Sequence, residues 1–199
     1  MNKLVENLTN LDLDLKYGAL VSGGLDSAVM LTLLVKLNPG IDIQPFSMNK
    51  VDESYKFVNP LIDHINYHLG TSIKHTILVG DPNLEHNQHG KFCTEYIINT
   101  YPEIAYIYNG VTKNPEELKN YNGAPKRAKS RDHIKVMMPF VHSTKDLVVD
   151  LMFEYGVEWL SDITHSCTRM KINRCGVCFQ CQERKLAYIL NNKIDTGVI

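Results

Sequence analysis

The chain has no run of apolar residues near the roughly 20 that a membrane-crossing helix needs. It has almost no excess charge, with 21 basic against 22 acidic residues and a formal net charge of −1. A general nucleic-acid-binding face requires a basic surplus, so the composition carries no strong nucleic-acid signal. The first residues, MNKLVENLTNLDLDLK, contain acids and lack the apolar centre of a secretion signal. The expected location is therefore the cytoplasm, where cysteines stay reduced. Only five cysteines occur, and four of them fall between positions 167 and 181. Neither Gly-Lys-Ser/Thr nor G-x-G-x-x-G is present, which excludes two common phosphate-binding loops. There is no internal repeat and no low-complexity tract. At 199 residues and 44% hydrophobic content, the chain can bury one sizeable core with a small appended subdomain.

What is present is punctuated by one glycine turn. Residues 17–28 read YGALVSGGLDSA, an apolar strand, a turn and the start of an apolar segment that runs to Leu37. A strand that turns straight into a helix leaves backbone N–H groups unpaired at the helix start, where the helix dipole adds positive charge. Gly23 and Gly24 let a ligand approach the backbone, and Ser22 and Ser27 add hydroxyls. Phosphate or pyrophosphate is the natural occupant. The run resembles the PP-loop SGGxDS of the ATP pyrophosphatase superfamily and matches it at every defined position. That resemblance implies cleavage of ATP between its α and β phosphates, with Asp26 helping to hold Mg²⁺. The candidate ATP-binding residues are Ser22, Gly23, Gly24, Leu25, Asp26 and Ser27.

Cys167, Cys175, Cys178 and Cys181 have the spacing C-x7-C-x2-C-x2-C. Such spacing can place four thiolates around one ion, and structural Zn²⁺ is the commonest solution. An iron–sulfur cluster also uses closely spaced cysteines, and disulfides are the remaining alternative. Arg169, Lys171, Arg174, Arg184 and Lys185 are expected to offset the thiolate charge. Cys93 stands alone and reads as a small buried hydrophobe. His86 and His89 could form a second metal site, but read better as solvated loop histidines.

Apolar runs and breakers predict strands at 19–21, 41–47, 73–79 and 104–108, with helices at 27–37, 55–69 and 91–100. Alternating strands and helices imply a parallel α/β sheet covered on both faces, with ligands at the C-terminal strand ends. Residues 109–138 are different, with Lys113, Lys119, Lys126, Arg127, Lys129, Arg131 and Lys135 among proline and glycine. This stretch is expected to be a solvated loop or a lid that orders over substrate. Ser143 or Thr144 is expected to cap a helix that Gly156 stops near Tyr155.

The combination resembles the 7-cyano-7-deazaguanine synthase family of the queuosine pathway. The likeness rests on Pro139, Thr144-Lys145, Gly156-Val157, Thr164-His165-Ser166-Cys167, Cys175-Gly176-Val177-Cys178, Cys181 and Arg184, with Gly110-Val111-Thr112 as a substrate-loop entry. It implies a Rossmann-like fold of the adenine nucleotide alpha hydrolase type. The expected ATP-binding domain spans residues 1–138, and a helical zinc-binding region spans 139–199. It also implies a homodimer, with ATP, Mg²⁺ and Zn²⁺ as cofactors, and a deazapurine carboxylate and ammonia as substrates. Asp26, Ser27 and Lys145 are the catalytic candidates. Residues 48–53, 86–91 and 113–117 depart from the family's central motifs. A shortened, divergent copy would suit a phage, and its location would then be the host cytoplasm. The same loop could instead serve adenylation of a tRNA base for thiolation, deazapurine–protein conjugation, or nucleotide binding without turnover.

Overall fold

The computed structural model describes residues 3–83, 89–128, 130, 133–170 and 173–197. His86, Lys129, Arg131 and Lys171, named above, lie outside the described residues. A short helix α1 (Lys3–Glu6) precedes strand β1 (Lys16–Leu20) and helix α2 (Leu25–Leu37). Strand β2 (Asp42–Met48), helix α3 (Val58–Leu69), strand β3 (Ile77–Val79) and helix α4 (His89–Thr100) follow. Strand β4 (Ile104–Asn109) leads into a long irregular segment that ends in the two-residue strand β5 (Val136–Met137). Helices α5 (Lys145–Glu154), α6 (Leu160–Ile163) and α7 (Phe179–Leu190) complete the chain.

All described strand pairs are parallel, in the order β3-β2-β1-β4-β5. β1 is therefore central, and successive connections leave it in opposite directions. Parallel sheets bind ligands at such a reversal, which here lies beyond the C-terminal ends of β1 and β4. The two faces follow the strand alternation. Tyr17, Ala19 and Val21 enter one core with α2, α3 and α5, whereas Leu20, Phe46 and Ile107 enter another with Cys93 and Ile97 of α4. The Rossmann-like α/β class expected from the sequence is the class observed.

α2 is buried on almost every side, with Leu25 and every residue from Ser27 to Val35 covered. One flank meets the sheet and the other meets α3, α5 and α6. Each fully buried Leu or Val contributes about 1.5–3 kcal/mol, so this sandwiching firmly fixes the first turn of the helix. Gly110, just past β4, makes a close approach to that turn. A Cβ there would lie 2.9 Å from the Asp26 carbonyl oxygen and 3.0 Å from the Ser27 Cα. Glycine is thus what lets β4 run directly past the loop.

Several element boundaries differ from the sequence expectation. The third strand begins at Ile77 rather than near 73, because side chains of α3 take the backbone groups before it. Asn66 Oδ1 accepts from the Ile73 amide at 2.8 Å, and Asn59 Oδ1 accepts from the Thr76 amide at 2.9 Å. The second helix begins as a tight 3-10 turn over Ser54–Phe57. Thr144 does precede the expected helix, but its side chain makes no capping bond, and its carbonyl accepts from the Leu147 amide at 3.2 Å instead.

Candidate active site and metal centre

The glycine turn is a compact loop held by its own serines. Ser27 Oγ accepts from the Ser22 amide at 3.1 Å and donates to the Gly24 carbonyl at 3.1 Å. The Ser22 and Ser27 hydroxyls lie 3.2 Å apart. Gly23 adopts φ +74°, and a Cβ there would meet Phe57 Cβ at 2.7 Å, so both dihedral and space demand glycine. The Gly23 carbonyl accepts from the His165 amide at 2.9 Å, and the His165 ring stacks on Phe57 at 4.2 Å. This ties the loop to the segment that enters the cysteine cluster. Gly24 sits at the N-cap of α2 and makes no side-chain capping bond. The helix start therefore offers amides and dipole to an anion.

Asp26, in the first turn, is not free. Lys145 Nζ, from the start of α5, donates to both carboxylate oxygens, at 2.7 and 2.6 Å. The same ammonium lies 3.4 Å from Glu183 Oε2 on α7. Arg127, from the irregular segment, grips Glu183 with two parallel bonds of 2.5 and 2.7 Å. Arg127 also donates to Thr112 Oγ1 at 2.8 Å, and Thr112 Oγ1 donates to Asp26 at 3.4 Å. Asp26, Lys145, Glu183, Arg127 and Thr112 thus form a closed ring of contacts drawn from α2, α5, α7 and the segment after β4. Burial pushes the Arg127 guanidinium down, but the Glu183 carboxylate more than offsets this, and Arg127 is held above its usual range.

The structure thus brings Ser22, Asp26, Ser27 and Lys145 together, although they come from positions far apart in sequence. Glu183 and Arg127 were missed as partners. Glu183 lies between Cys181 and Arg184, where the cysteine spacing draws attention elsewhere, and Arg127 was one basic loop residue among seven. Lys113 is exposed, and its amide donates to the Ser143 carbonyl. Two buried polar atoms beside these residues have no protein partner among the described residues: Asn114 Oδ1 and Ser166 Oγ. Such atoms are nearly always satisfied in native structures, by ordered water or by a bound polar group. A separate cavity of about 230 Å³, lined by Tyr17, Tyr106, Tyr108 and Met137, contains none of the loop residues.

The four cysteines converge. Their sulfurs all lie within 4.8 Å of one another, and Cys175–Cys181 and Cys167–Cys178 are each separated by 4.0 Å. One ion with sulfur bonds of about 2.3 Å places tetrahedral ligands roughly 3.8 Å apart, close to this spacing. A four-iron cubane holds its thiolates further apart, because irons and sulfides lie between them. The donor set therefore fits a single ion. The Cys175 amide donates to Cys167 Sγ at 3.4 Å, and the Cys178 amide to Cys175 Sγ at 3.2 Å. Burial pushes the Cys175 thiol up, but amide donation from Val177 and Cys178 overcomes this and brings it down to about 6. Cys178 and Cys181 lie at the start of α7, and burial pushes the Cys181 thiol up, as does its bond with Cys178.

The expected thiolate-neutralising role of Arg174 and Arg184 is not where their hydrogen bonds go. Arg184 donates to Asp195 and to the carbonyls of Ser161 and Thr164, and Arg174 reaches the same three residues. His89 begins α4 and is buried, with Nδ1 unpartnered among the described residues. This differs from the solvated loop position expected for it.

The family model "Queuosine biosynthesis protein QueC" matches residues 112–192. A curated protein from Saccharolobus solfataricus named 7-cyano-7-deazaguanine synthase is 26% identical over 234 aligned positions covering 98% of this chain. The chain is thus similar to QueC proteins, through the family model over residues 112–192 and through this relative at low identity. The chain spans about half the length of that curated relative. Among solved structures, the U34-tRNA thiolase NcsA from Methanococcus maripaludis, with its [4Fe-4S] cluster, superposes with a TM-score of 0.55 at 14% identity. That match covers 96% of this chain and 71% of the thiolase. NMN synthetase from Francisella tularensis gives 0.51 at 16% identity, covering 96% of this chain and 84% of the synthetase. At such identities these two structures establish the shared fold, across proteins named for different substrates. Among the described residues, no helix is long and apolar enough to cross a membrane.

Proposed function

We propose that this chain is an ATP-dependent ligase that converts 7-carboxy-7-deazaguanine and ammonia to 7-cyano-7-deazaguanine. The observation that carries this reading is the Asp26–Lys145 pair at the open start of α2, beyond the ends of β1 and β4. A carboxylate oxygen of the substrate attacks the α phosphorus of ATP, and pyrophosphate leaves. Ammonia then attacks the acyl carbon, and AMP departs to give an amide. A second ATP activates the amide oxygen, and loss of AMP with the amide protons leaves the nitrile.

In this reading the α2 amides and the hydroxyls of Ser22 and Ser27 receive the departing pyrophosphate. Lys145 and Arg127 offset negative charge as it develops, which is the largest contribution such a site can make. Thr112 and Arg127 close the site from the side and exclude water from the activated acid. Asp26, 17% exposed at its side chain, would be the residue that holds a Mg²⁺ ion beside the phosphates. That ion would screen the phosphates and draw electrons from the leaving group.

Mass spectrometry of products from protein, ATP, Mg²⁺, ammonium and 7-carboxy-7-deazaguanine tests the reading, with Asp26→Ala as control. An Asp26-dependent nitrile is expected. AMP and pyrophosphate without a deazapurine product would refute the substrate assignment, and absence of any turnover would refute the enzyme.

The four thiolates are proposed to hold structural Zn²⁺. Elemental analysis of freshly purified protein should give about one zinc per chain and no stoichiometric iron. Iron with sulfide-to-iron absorption in the visible range would overturn this assignment.

A further inference from the structure

We infer that Glu183 is a positioning residue for the phosphate site, holding Lys145 and Arg127 in register when Asp26 turns toward its cation. The inference rests on the phosphate-site reading above, but not on the identity of the acid that is activated.

Lys145 is only 5% exposed at its side chain, and Glu183 only 1%. A buried ammonium needs a counter-charge, because water is not there to solvate it. In the structure that counter-charge is Asp26, with both oxygens engaged. Yet Asp26 is also the carboxylate placed to meet a phosphate-bound cation, and it cannot fully satisfy both. If it shifts toward the cation, the nearest remaining carboxylate for Lys145 is Glu183 Oε2, already 3.4 Å away. Glu183 is thus the second acceptor that lets Lys145 stay charged and in place.

The same carboxylate fixes Arg127. Its two oxygens accept the guanidinium fork, a geometry that sets direction as well as distance. The fork also lies 5.6 Å over the Phe179 ring, at the start of the helix that carries Glu183. Arg127 brings with it the segment after Thr112. Asn114 Nδ2 bonds the Pro125 carbonyl at 2.8 Å, and Tyr121 Oη donates to the Val177 carbonyl at 2.6 Å. One buried acid therefore sets both the cation beside Asp26 and the edge of the segment that covers it. Without it, two buried cations would share the single carboxylate of Asp26.

The isosteric Glu183→Gln variant tests this, with Glu183→Asp beside it. Three quantities are compared with wild type: Mg·ATP affinity by calorimetry, the rate of ATP consumption, and amide exchange over residues 112–128. Freed cations still attract phosphate, so ATP affinity is expected to stay within about threefold while turnover falls more than about tenfold. Exchange over 112–128 should accelerate, and Glu183→Asp should recover part of both turnover and protection. Unchanged turnover and exchange in Glu183→Gln would overturn the inference. So would loss of affinity and turnover together with a collapsed melting transition, which would mark Glu183 as a folding residue only. If wild type consumes no ATP with any acid offered, the proposed reaction fails. The positioning role is then decided by ATP affinity and exchange alone, and unchanged exchange in Glu183→Gln would reject it.

Discussion

Replacing Asp26 with asparagine is expected to lower ATP consumption by more than about 100-fold, in a protein that still folds and melts cooperatively, though at a lower temperature because Lys145 loses its closest counter-charge. Loss of one preorganised electrostatic group in a water-poor site typically costs that much. Asparagine keeps the shape of the first turn of α2, whose position is set by the surrounding apolar contacts rather than by the carboxylate. It can still accept from Lys145, and Glu183 remains 3.4 Å from the ammonium as its counter-ion. The fold should therefore survive while the charge that faces the phosphates disappears. Pyrophosphate release measured beside a thermal melt separates the two effects. A variant that turns over at the wild-type rate would show that the cation of this site is held elsewhere.

The parts of this molecule that could be read from sequence were those encoded by neighbours in the chain. Gly23 and Gly24 announce a turn, and the apolar run after Ser27 announces a buried helix, because each signal is complete within a few residues. The cysteine spacing is equally local, and the sulfurs do converge. What escaped was set by distant partners. Strand β3 is short because Asn59 and Asn66 intercept the backbone before it, an effect that no strand propensity contains. Strand β5 spans two residues and is defined only by its pairing to β4. Nothing near Glu183 in the sequence marks it as buried. Its burial is visible only once Arg127, 56 positions earlier, is seen to fill its fork. The arginines near the cysteines were read by proximity in sequence, whereas the fold turns Arg174 and Arg184 toward the last described residues.

The position of the cysteine cluster links metal and substrate ends of the molecule. His165, two residues before Cys167, donates its amide to Gly23 of the phosphate loop. Val177, between Cys175 and Cys178, accepts from Tyr121 of the covering segment. A metal that fixes the thiolate loop would therefore steady both of these segments without touching substrate. On the reading proposed above, a structural ion would thus serve a site whose chemistry lies on phosphate and carboxylate.

Asparagine at Asp195 is expected to destabilise the protein by about 3–5 kcal/mol, the cost of removing one partner from a buried ion pair. For a chain of this size that is a fall in melting temperature of at least about 6 °C. Asp195 Oδ2 accepts from Arg174 at 2.6 Å and from Arg184 at 2.7 Å, and its Oδ1 accepts from Arg184 at 2.8 Å. Both guanidiniums lie inside, against the Ser161 and Thr164 carbonyls, and both rely on this shared carboxylate. The amide of asparagine would turn a donor toward one of them. Gly197 leaves no slack, since a side chain there would collide with Arg174. Burial pushes the Asp195 carboxyl up, but hydrogen bonds and charge from Arg184, with the charge of Arg174, hold it below the ordinary carboxylate range. A carboxyl depressed in the folded state stabilises fully above its unfolded value, about 4, and loses that contribution as pH falls through the folded value. Wild type and variant should thus differ most at neutral pH and converge in strong acid. Melting curves from pH 7 down to about 2.5 read this directly, and a gap that does not narrow with acid would remove the charge pair as its cause.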